Sequence, residues 1–231
     1  MIAVRPRRLL RRLSRTCSGV AMTEFALSLP LLLTAGLWGV ETANFALVTM
    51  HVNQLATHLA DNGARIGDTS SLAMRKIYEG DINDLLIGSN LQGGKGLDFY
   101  EHGRAIISSL EVLPTSMTQQ YIHWQRCKGK KVWGSHYGFQ GDGITSAIAG
   151  MGPPGEEVQA SIGDAVIFVE VAYDYQPLIL DQFVSSRQIT ATASFIVRDS
   201  RDLTQIYQRD PNRPSAVSGC SAYSSISSTF R

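Results

Sequence analysis

The chain has 231 residues with 21 basic and 20 acidic side chains, and this near-neutral balance gives no indication of a nucleic-acid partner. With 44% hydrophobic and 18% charged residues, the composition is neither that of a disordered chain nor that of a polytopic membrane protein. The charge is uneven, because six arginines precede the first acid, Glu24, and without them 15 basic side chains stand against the 20 acidic ones. These arginines are Arg5, Arg7, Arg8, Arg11, Arg12 and Arg15.

An apolar run follows the arginines. Between Glu24 and Glu41 lie sixteen uncharged residues, eleven of which are hydrophobic. As a helix this run is about 24 Å long, which is short of a hydrocarbon core of about 30 Å. If the span extends from Val20 to Met50, Glu24 and Glu41 lie at or near membrane depth, where acids are costly and tend to be functional. The residues predicted to form the membrane anchor are Phe25, Leu27, Leu29, Leu31, Leu32, Leu33, Leu37, Trp38 and Val40.

Two other interpretations of the run are open. A cleaved secretory signal peptide would have the same basic start, but the sequence VETANF after the run lacks an A-x-A cleavage pattern, and Glu24 lies where the apolar region begins. A buried helix of a soluble protein would leave the arginines unexplained. With the arginines in the cytoplasm, the positive-inside rule predicts that the residues after position 50 lie on the opposite side of the membrane.

The junction between leader and run contains a glycine, four residues and a glutamate, from Gly19 to Glu24. This spacing is common by chance, but its place between a basic leader and an apolar helix is typical of a type IV prepilin processing site. Cleavage after Gly19 would make Val20 the new N-terminus and Glu24 the fifth residue. A carboxylate at that depth needs a positive partner, which the new α-amino group of a neighbouring subunit could supply. Alternatively, Glu24 is a first-turn acid that complements the helix dipole.

From Ser18 to Arg65 the chain resembles the TadE-like family of tight-adherence pilus assembly proteins, which are pseudopilins. The matching segments are GVAMTEFALSLPLLL, GLWGVETANFAL and HVNQLATHLADNGAR. The resemblance implies cleavage after Gly19 by a prepilin peptidase that recognises Glu24. It also implies a single-pass protein of the bacterial inner membrane, with a cytoplasmic N-terminus and a periplasmic C-terminal domain. Its partners would be other pilins or pilus assembly proteins and the lipid bilayer, and its place would be in a Flp-type pilus or at its base.

Two positions depart from the usual pattern of that group. Val20 stands where ordinary type IV pilins have Phe or Met, and Phe25 stands where the major Flp pilins usually have Tyr. The resemblance does not extend clearly into the rest of the chain, so the organisation of the remainder has to be predicted from its own residues.

The helix is predicted to continue beyond the membrane. Phe45, Val48, Val52, Leu55 and Leu59 recur at helical spacing and form an apolar stripe, which favours packing within the chain over a subunit contact. Pro30 is expected to kink the helix early. We therefore divide the N-terminal part into a leader, residues 1–19, and a transmembrane and amphipathic helix, residues 20–65.

Residues 66–210 are predicted to form a small periplasmic α+β domain with an antiparallel sheet and short helices. In the strongest strand, 165–175, alternate apolar residues share one face and Glu170 and Asp174 lie on the other. The other predicted elements are helices at 72–78 and 82–91 and strands near 106–112, 119–127 and 189–198. The glycine-containing segment 129–163 is predicted to be a long irregular excursion, and the Ser-rich residues 211–231 a flexible tail.

Three cysteines bear on the compartment. Cys17 would be lost on cleavage after Gly19, which leaves Cys127 and Cys220. In an oxidising periplasm these two can form a disulfide that attaches the Ser-rich tail to the domain. The alternative is that they are unrelated cysteines, one of them in a disordered tail.

No motif predicts catalysis, a metal site or a cofactor. The five histidines are scattered, without an HExxH motif or a cysteine pair at metal-binding spacing. The segment Gly93-Gly94-Lys95-Gly96 departs from the Walker pattern at two positions, and Ser135, His136 and Asp142 are close only in sequence.

An aromatic and basic cluster could bind an anionic polymer, although a solvated loop stacked on its own aromatic rings is the simpler interpretation. It comprises Tyr121, Trp124, Trp133, Arg126, Lys128, Lys130 and Lys131. We therefore expect a non-enzymatic protein with neither nucleic acid nor a small molecule as its substrate. The alternatives are an uncleaved single-pass protein whose periplasmic domain binds another envelope component, and a secreted or tethered hydrolase whose residues are not recognisable.

Overall fold

The structure is a computed structural model and describes residues 18–68, 74–179 and 187–225. A long helix is followed by two shorter helices and four strands, which confirms the predicted order of a long N-terminal helix before an α+β domain with an antiparallel sheet. The helices are α1 (Ser18–Gly63), α2 (Glu79–Leu97) and α3 (Phe99–His102). The strands are β1 (Gly103–Val112), β2 (Gln120–Lys128), β3 (Ala165–Asp174) and β4 (Gln188–Ile196).

The four strands form one antiparallel sheet in the order β2-β1-β3-β4. Strands β3 and β4 pair as antiparallel neighbours, as their sequences predict, with Glu170 opposite Thr192. On the other side of β3, Glu170 lies opposite Ile106 of β1. All four strands lie within a few residues of their predicted positions, and the period-two apolar pattern that predicts them is clearest in β3 and β4.

Helix α1 covers one face of the sheet with its C-terminal half only. Its apolar stripe is buried there, which confirms that the stripe packs within the chain. The fully or nearly fully buried residues of this half are Val52, Leu55, Ala56, Leu59 and Ala60. Glu41 lies beside Tyr175, just beyond β3, and Ala64 accepts a hydrogen bond from the backbone N–H of Arg198, just beyond β4. Helix α1 therefore runs antiparallel to β3 and parallel to β4.

The second face of the sheet is covered by the excursion between β2 and β3. A separate apolar cluster lies on this side, formed by Leu110, Ile122, Met151, Ala160, Val166 and Phe168. Gly129 lets the chain turn from β2 into the excursion, because it has φ of 126° and a side chain there would overlap the carbonyl of Gly103. Strands β1 and β3 are thus buried on both faces, and Glu170, which lies on the face opposite the alternate apolar residues of β3 as predicted, is fully buried.

The first of the two predicted short helices is wrong over its described part. Residues 74–78 instead form parallel bridges with the segment after β4, pairing Arg75 with Arg201 and Tyr78 with Tyr207, while residues 69–73 lie outside the described residues. The second predicted helix exists as α2 and is longer at both ends. Its backbone is non-helical at Gly94, so the glycine pair interrupts the helix without ending it.

The C-terminal segment differs from the flexible tail expected after residue 210. A disulfide joins Cys127 to Cys220, and the N–H of Cys127 donates to the carbonyl of Ser218. The buried guanidinium of Arg104 donates to the carbonyls of Cys220 at 2.6 Å and Ala222 at 3.1 Å. Residues 218–224 are therefore attached to the ends of β1 and β2, whereas residues 226–231 lie outside the described residues.

Candidate processing and membrane-anchoring site

The predicted processing residues lie in the first turns of α1, which begins at Ser18. Gly19, Val20 and Glu24 are exposed, and a side chain built at Gly19 would meet no atom within 4 Å. Val20 and Glu24 are four residues apart and so lie on one face of the helix. Glu24 makes no hydrogen bond or ion pair to any residue that the structure describes. Within the part of the chain that the structure describes, both the Gly19 position and the Glu24 carboxylate are therefore uncovered.

The predicted anchor follows directly on the same helix, which continues through Pro30. Leu29 is partly covered, and the other eight predicted anchor residues are between 50% and 76% exposed. By length and composition, α1 is the one helix among the described residues that could cross a membrane. A continuous exposed apolar surface of this size is typical of an interaction with lipid or with another protein, and none of the described residues covers it.

The exposed segment ends at Glu41, which is only 7% exposed and is held by the C-terminal domain. Its carboxylate accepts a hydrogen bond of 2.6 Å from the Tyr175 hydroxyl and bonds of 3.1 and 3.2 Å from the backbone N–H groups of Leu178 and Ile179. One turn further along α1, Asn44 donates to the same hydroxyl at 2.7 Å. We call this set of contacts the Glu41 junction.

Aromatic side chains pack beside the hydrogen bonds of the Glu41 junction. The rings of Phe45 and Tyr175 meet edge to face at 5.1 Å, and the guanidinium of Arg187 lies 5.2 Å from the Phe45 ring centre. Burial and the hydrogen bond to Glu41 raise the pKa of Tyr175, so the phenol keeps its proton and acts as the donor. Three donors therefore compensate a carboxylate that is largely removed from water.

This arrangement changes the expectation for Glu41. A span extended to Met50 would have placed Glu41 at membrane depth, whereas the structure places it inside the contact between α1 and the C-terminal domain. The exposed apolar segment is then Val20–Val40, about 32 Å long at 1.5 Å per residue, which matches a hydrocarbon core of about 30 Å. Glu24 remains in that segment and Glu41 does not.

The partners of Glu41 were not found from the sequence. Glu41 precedes Phe45 by one helical turn, so it continues the apolar stripe that packs on the domain. This position on the stripe is the one feature of the sequence that indicates that Glu41 faces the domain and not the membrane. Nothing in the sequence places Tyr175 and the backbone of Leu178 opposite it, because they are about 135 residues away and meet it only through the order of the strands.

The aromatic and basic cluster is divided among separate contacts. Arg126 makes a two-point ion pair with the buried carboxylate of Glu79. Lys130 pairs with Glu101 at 2.6 Å, and Lys131 pairs with Asp174 at 2.5 Å. These three cations are therefore engaged with acids of the domain, which does not favour the cluster as a binding surface for an anionic polymer.

Ser135 and His136 form hydrogen bonds to the sheet and are not arranged as a catalytic site. The Ser135 hydroxyl and the N–H of His136 both donate to the buried carboxylate of Glu170, and Asp142 accepts from the N–H of Phe139. Among the described residues, no three His, Cys, Asp or Glu side chains are grouped so that they could hold a metal ion.

Comparisons of the chain with protein-family models, with curated proteins and with solved structures find no match.

Proposed function

We propose that the protein is a non-enzymatic, pseudopilin-like component of a Flp-type, tight-adherence pilus system. A prepilin peptidase cuts the chain after Gly19, and the segment Val20–Val40 anchors the mature protein in the bacterial inner membrane. The C-terminal domain lies in the periplasm, and the protein acts through contacts with other pilins or pilus assembly proteins. The observation that carries this proposal is the exposed start of α1, where Gly19 and Glu24 stand between a basic leader and an exposed apolar helix.

The state of Glu24 supports this proposal. It is an acid without a partner within the described residues, placed at the start of a segment whose other residues are uncharged and mostly apolar. A buried carboxylate is tolerated when a positive group neutralises it. Cleavage creates such a group, because Val20 gains a free α-amino group one turn away, and a neighbouring subunit would carry the same pair of charges.

The division of α1 into two halves also supports the proposal. The half after Glu41 is used by the chain's own domain, while the half before it is free to contact lipid and the helices of other subunits. The Cys127–Cys220 disulfide is typical of an oxidising compartment such as the periplasm. A periplasmic domain agrees with the side on which the positive-inside rule places it.

Variants at Gly19 and Glu24 test the proposal in cells that assemble the pilus. We expect Gly19→Leu to block removal of the leader, and Gly36→Leu to leave it unaffected, because both glycines lie in exposed helix and a side chain meets no atom at either. We expect Glu24→Gln to be processed but to assemble few pili. Normal removal of the leader from Gly19→Leu would contradict cleavage at this site. Retention of the leader in the unmodified protein would contradict the proposal and favour an uncleaved single-pass protein with a periplasmic interaction domain.

A further inference from the structure

We infer that the end of the C-terminal domain nearest Glu41 is a lipid-contacting surface, where the exposed side chains of Leu178 and Val132 rest against the bilayer. The inference rests on the membrane anchor of the proposed function and adds a second, peripheral contact with the membrane. It is carried by three observations: the direction of α1, the short connection at Glu41, and the exposed residues at this end of the sheet.

The direction of α1 defines which end of the domain is near the membrane. The helix meets the domain first at Tyr175, beyond the last residue of β3, and leaves it near Arg198. Tyr173 of β3 pairs with Gly103, the first residue of β1. The end of β3 and the start of β1 therefore face the membrane, and the turn between β1 and β2, which contains Met117, lies at the opposite end.

The connection at Glu41 leaves no room for a spacer between anchor and domain. Val40 is 56% exposed, and its neighbour Glu41 already binds the backbone of Leu178 and Ile179. Since Val20–Val40 is about as long as the hydrocarbon core is thick, a helix that spans the bilayer brings Glu41 to its surface. Leu178 must then lie at the same height.

The residues at this end suit an interfacial position. Leu178 is 64% exposed and Val132 is 80% exposed. Val132 belongs to this end because the preceding residue, Lys131, donates its N–H to Gly103 and pairs with Asp174. Trp38, 61% exposed, lies one turn before Glu41, and tryptophan is enriched where helices leave the bilayer. Exposed apolar side chains beside an interfacial tryptophan lose contact with water when they enter the headgroup region.

Spin labels on the full-length protein test this inference in nanodiscs of phosphatidylethanolamine and phosphatidylglycerol. In a Cys17→Ser background, single labels are placed through Leu178→Cys, Met117→Cys and Leu33→Cys, and the relaxation caused by oxygen is compared with that caused by a water-soluble nickel chelate. Met117 is a matched control because it is 74% exposed but lies at the far end of the domain. Leu178 contributes only its backbone N–H to the Glu41 junction, so its side chain can be replaced without removing a described contact.

We expect the oxygen-to-nickel ratio at Leu178 to be several-fold higher than at Met117 and to approach that at Leu33. A water-like ratio at Leu178 together with a lipid-like ratio at Leu33 would overturn the lipid contact and leave the anchor intact. A water-like ratio at Leu33 would overturn the anchor itself, and this inference with it. A label introduced by Val132→Cys should follow Leu178, and a water-like ratio there would remove Val132 from the surface.

Discussion

The hydroxyl of Tyr175 donates a hydrogen bond of 2.6 Å to the carboxylate of Glu41, across 134 positions of sequence. This contact joins the exposed apolar half of α1 to the sheet that its other half covers. Two backbone N–H groups complete the hydrogen bonding of the carboxylate, so the packing of α1 on the domain begins at Glu41. In the proposed function, a force on the membrane helix reaches the domain first through this contact.

Replacing Tyr175 with Phe should weaken the attachment. The change removes one donor from a buried carboxylate and should lower the free energy of unfolding of the full chain in detergent by about 2 kcal/mol. Tyr137→Phe is a matched control, because the Tyr137 hydroxyl has no hydrogen bond within the described residues and its ring packs on Phe168. Denaturant unfolding followed by tryptophan fluorescence measures both. Equal losses in the two variants would contradict a specific role for the Glu41 junction.

Removing the disulfide should destabilise the C-terminal domain and release its last segment. Cys127→Ser combined with Cys220→Ser removes a cross-link between residues 93 positions apart. We expect the free energy of unfolding to fall by about 2–4 kcal/mol. Residues 218–224 should also become more accessible to protease, because their covalent link to β2 is gone and hydrogen bonds such as those from Arg104 and from the backbone N–H groups of residues 127 and 129 remain. Cys17→Ser is the control and should change neither property. Unchanged protection of the segment in the double variant would show that the disulfide is not what holds it.

Glu170 should make the stability of the domain depend on pH. Its burial raises the pKa of the carboxyl above the ordinary value of 4.5, although Ser135 and the N–H of His136 act in the opposite direction. The contribution of this group to stability is therefore complete below that ordinary value and is lost as the pH rises through the raised value. Glu170→Gln cannot ionise, so its stability relative to the native chain should increase between about pH 4 and neutrality. Parallel stability curves for the two proteins would show that Glu170 titrates normally.

Breaking the buried pair formed by Glu79 and Arg126 should cost far more stability than breaking an exposed pair. Both side chains are nearly buried, so Glu79→Gln leaves a poorly compensated guanidinium and should cost about 3 kcal/mol of unfolding free energy. Glu101→Gln removes the same charge from the exposed pair with Lys130 and should cost about 0.5 kcal/mol or less. The difference between the two variants in denaturant unfolding is the test. Similar small costs would mean that the buried pair adds no more than the exposed one.

The sequence predicted the elements of this fold better than the surfaces between them. The stripe from Phe45 to Leu59 and the alternation in β3 and β4 are local patterns, and each directly reports a buried face. The segment before α2 was mistaken for a helix because its bridges to Arg201 and Tyr207 join residues about 125 positions apart. A bridge of that kind leaves no periodic pattern in either partner.

Glu170 and Glu41 illustrate the same limit at the level of single residues. Alternation assigned Glu170 to the face of β3 opposite the alternate apolar residues, but it did not reveal that the irregular excursion covers that face and supplies the donors from Ser135 and His136. Glu41 was grouped with Glu24 because both flank the apolar run, whereas among the described residues only Glu41 has a set of donors. Which of two similar acids is satisfied within the chain depends on distant backbone groups that no local pattern reveals.

The N-terminal residue of the mature protein tests the central claim most directly. Peptide mass spectrometry of the membrane fraction, from cells with and without their prepilin peptidase, identifies that residue. We expect a start at Val20 that depends on the peptidase, with Glu24 as the fifth residue of the processed chain. An intact leader beginning at Met1 or Ile2 in cells that contain the active peptidase would contradict the proposed processing and, with it, the pseudopilin-like function.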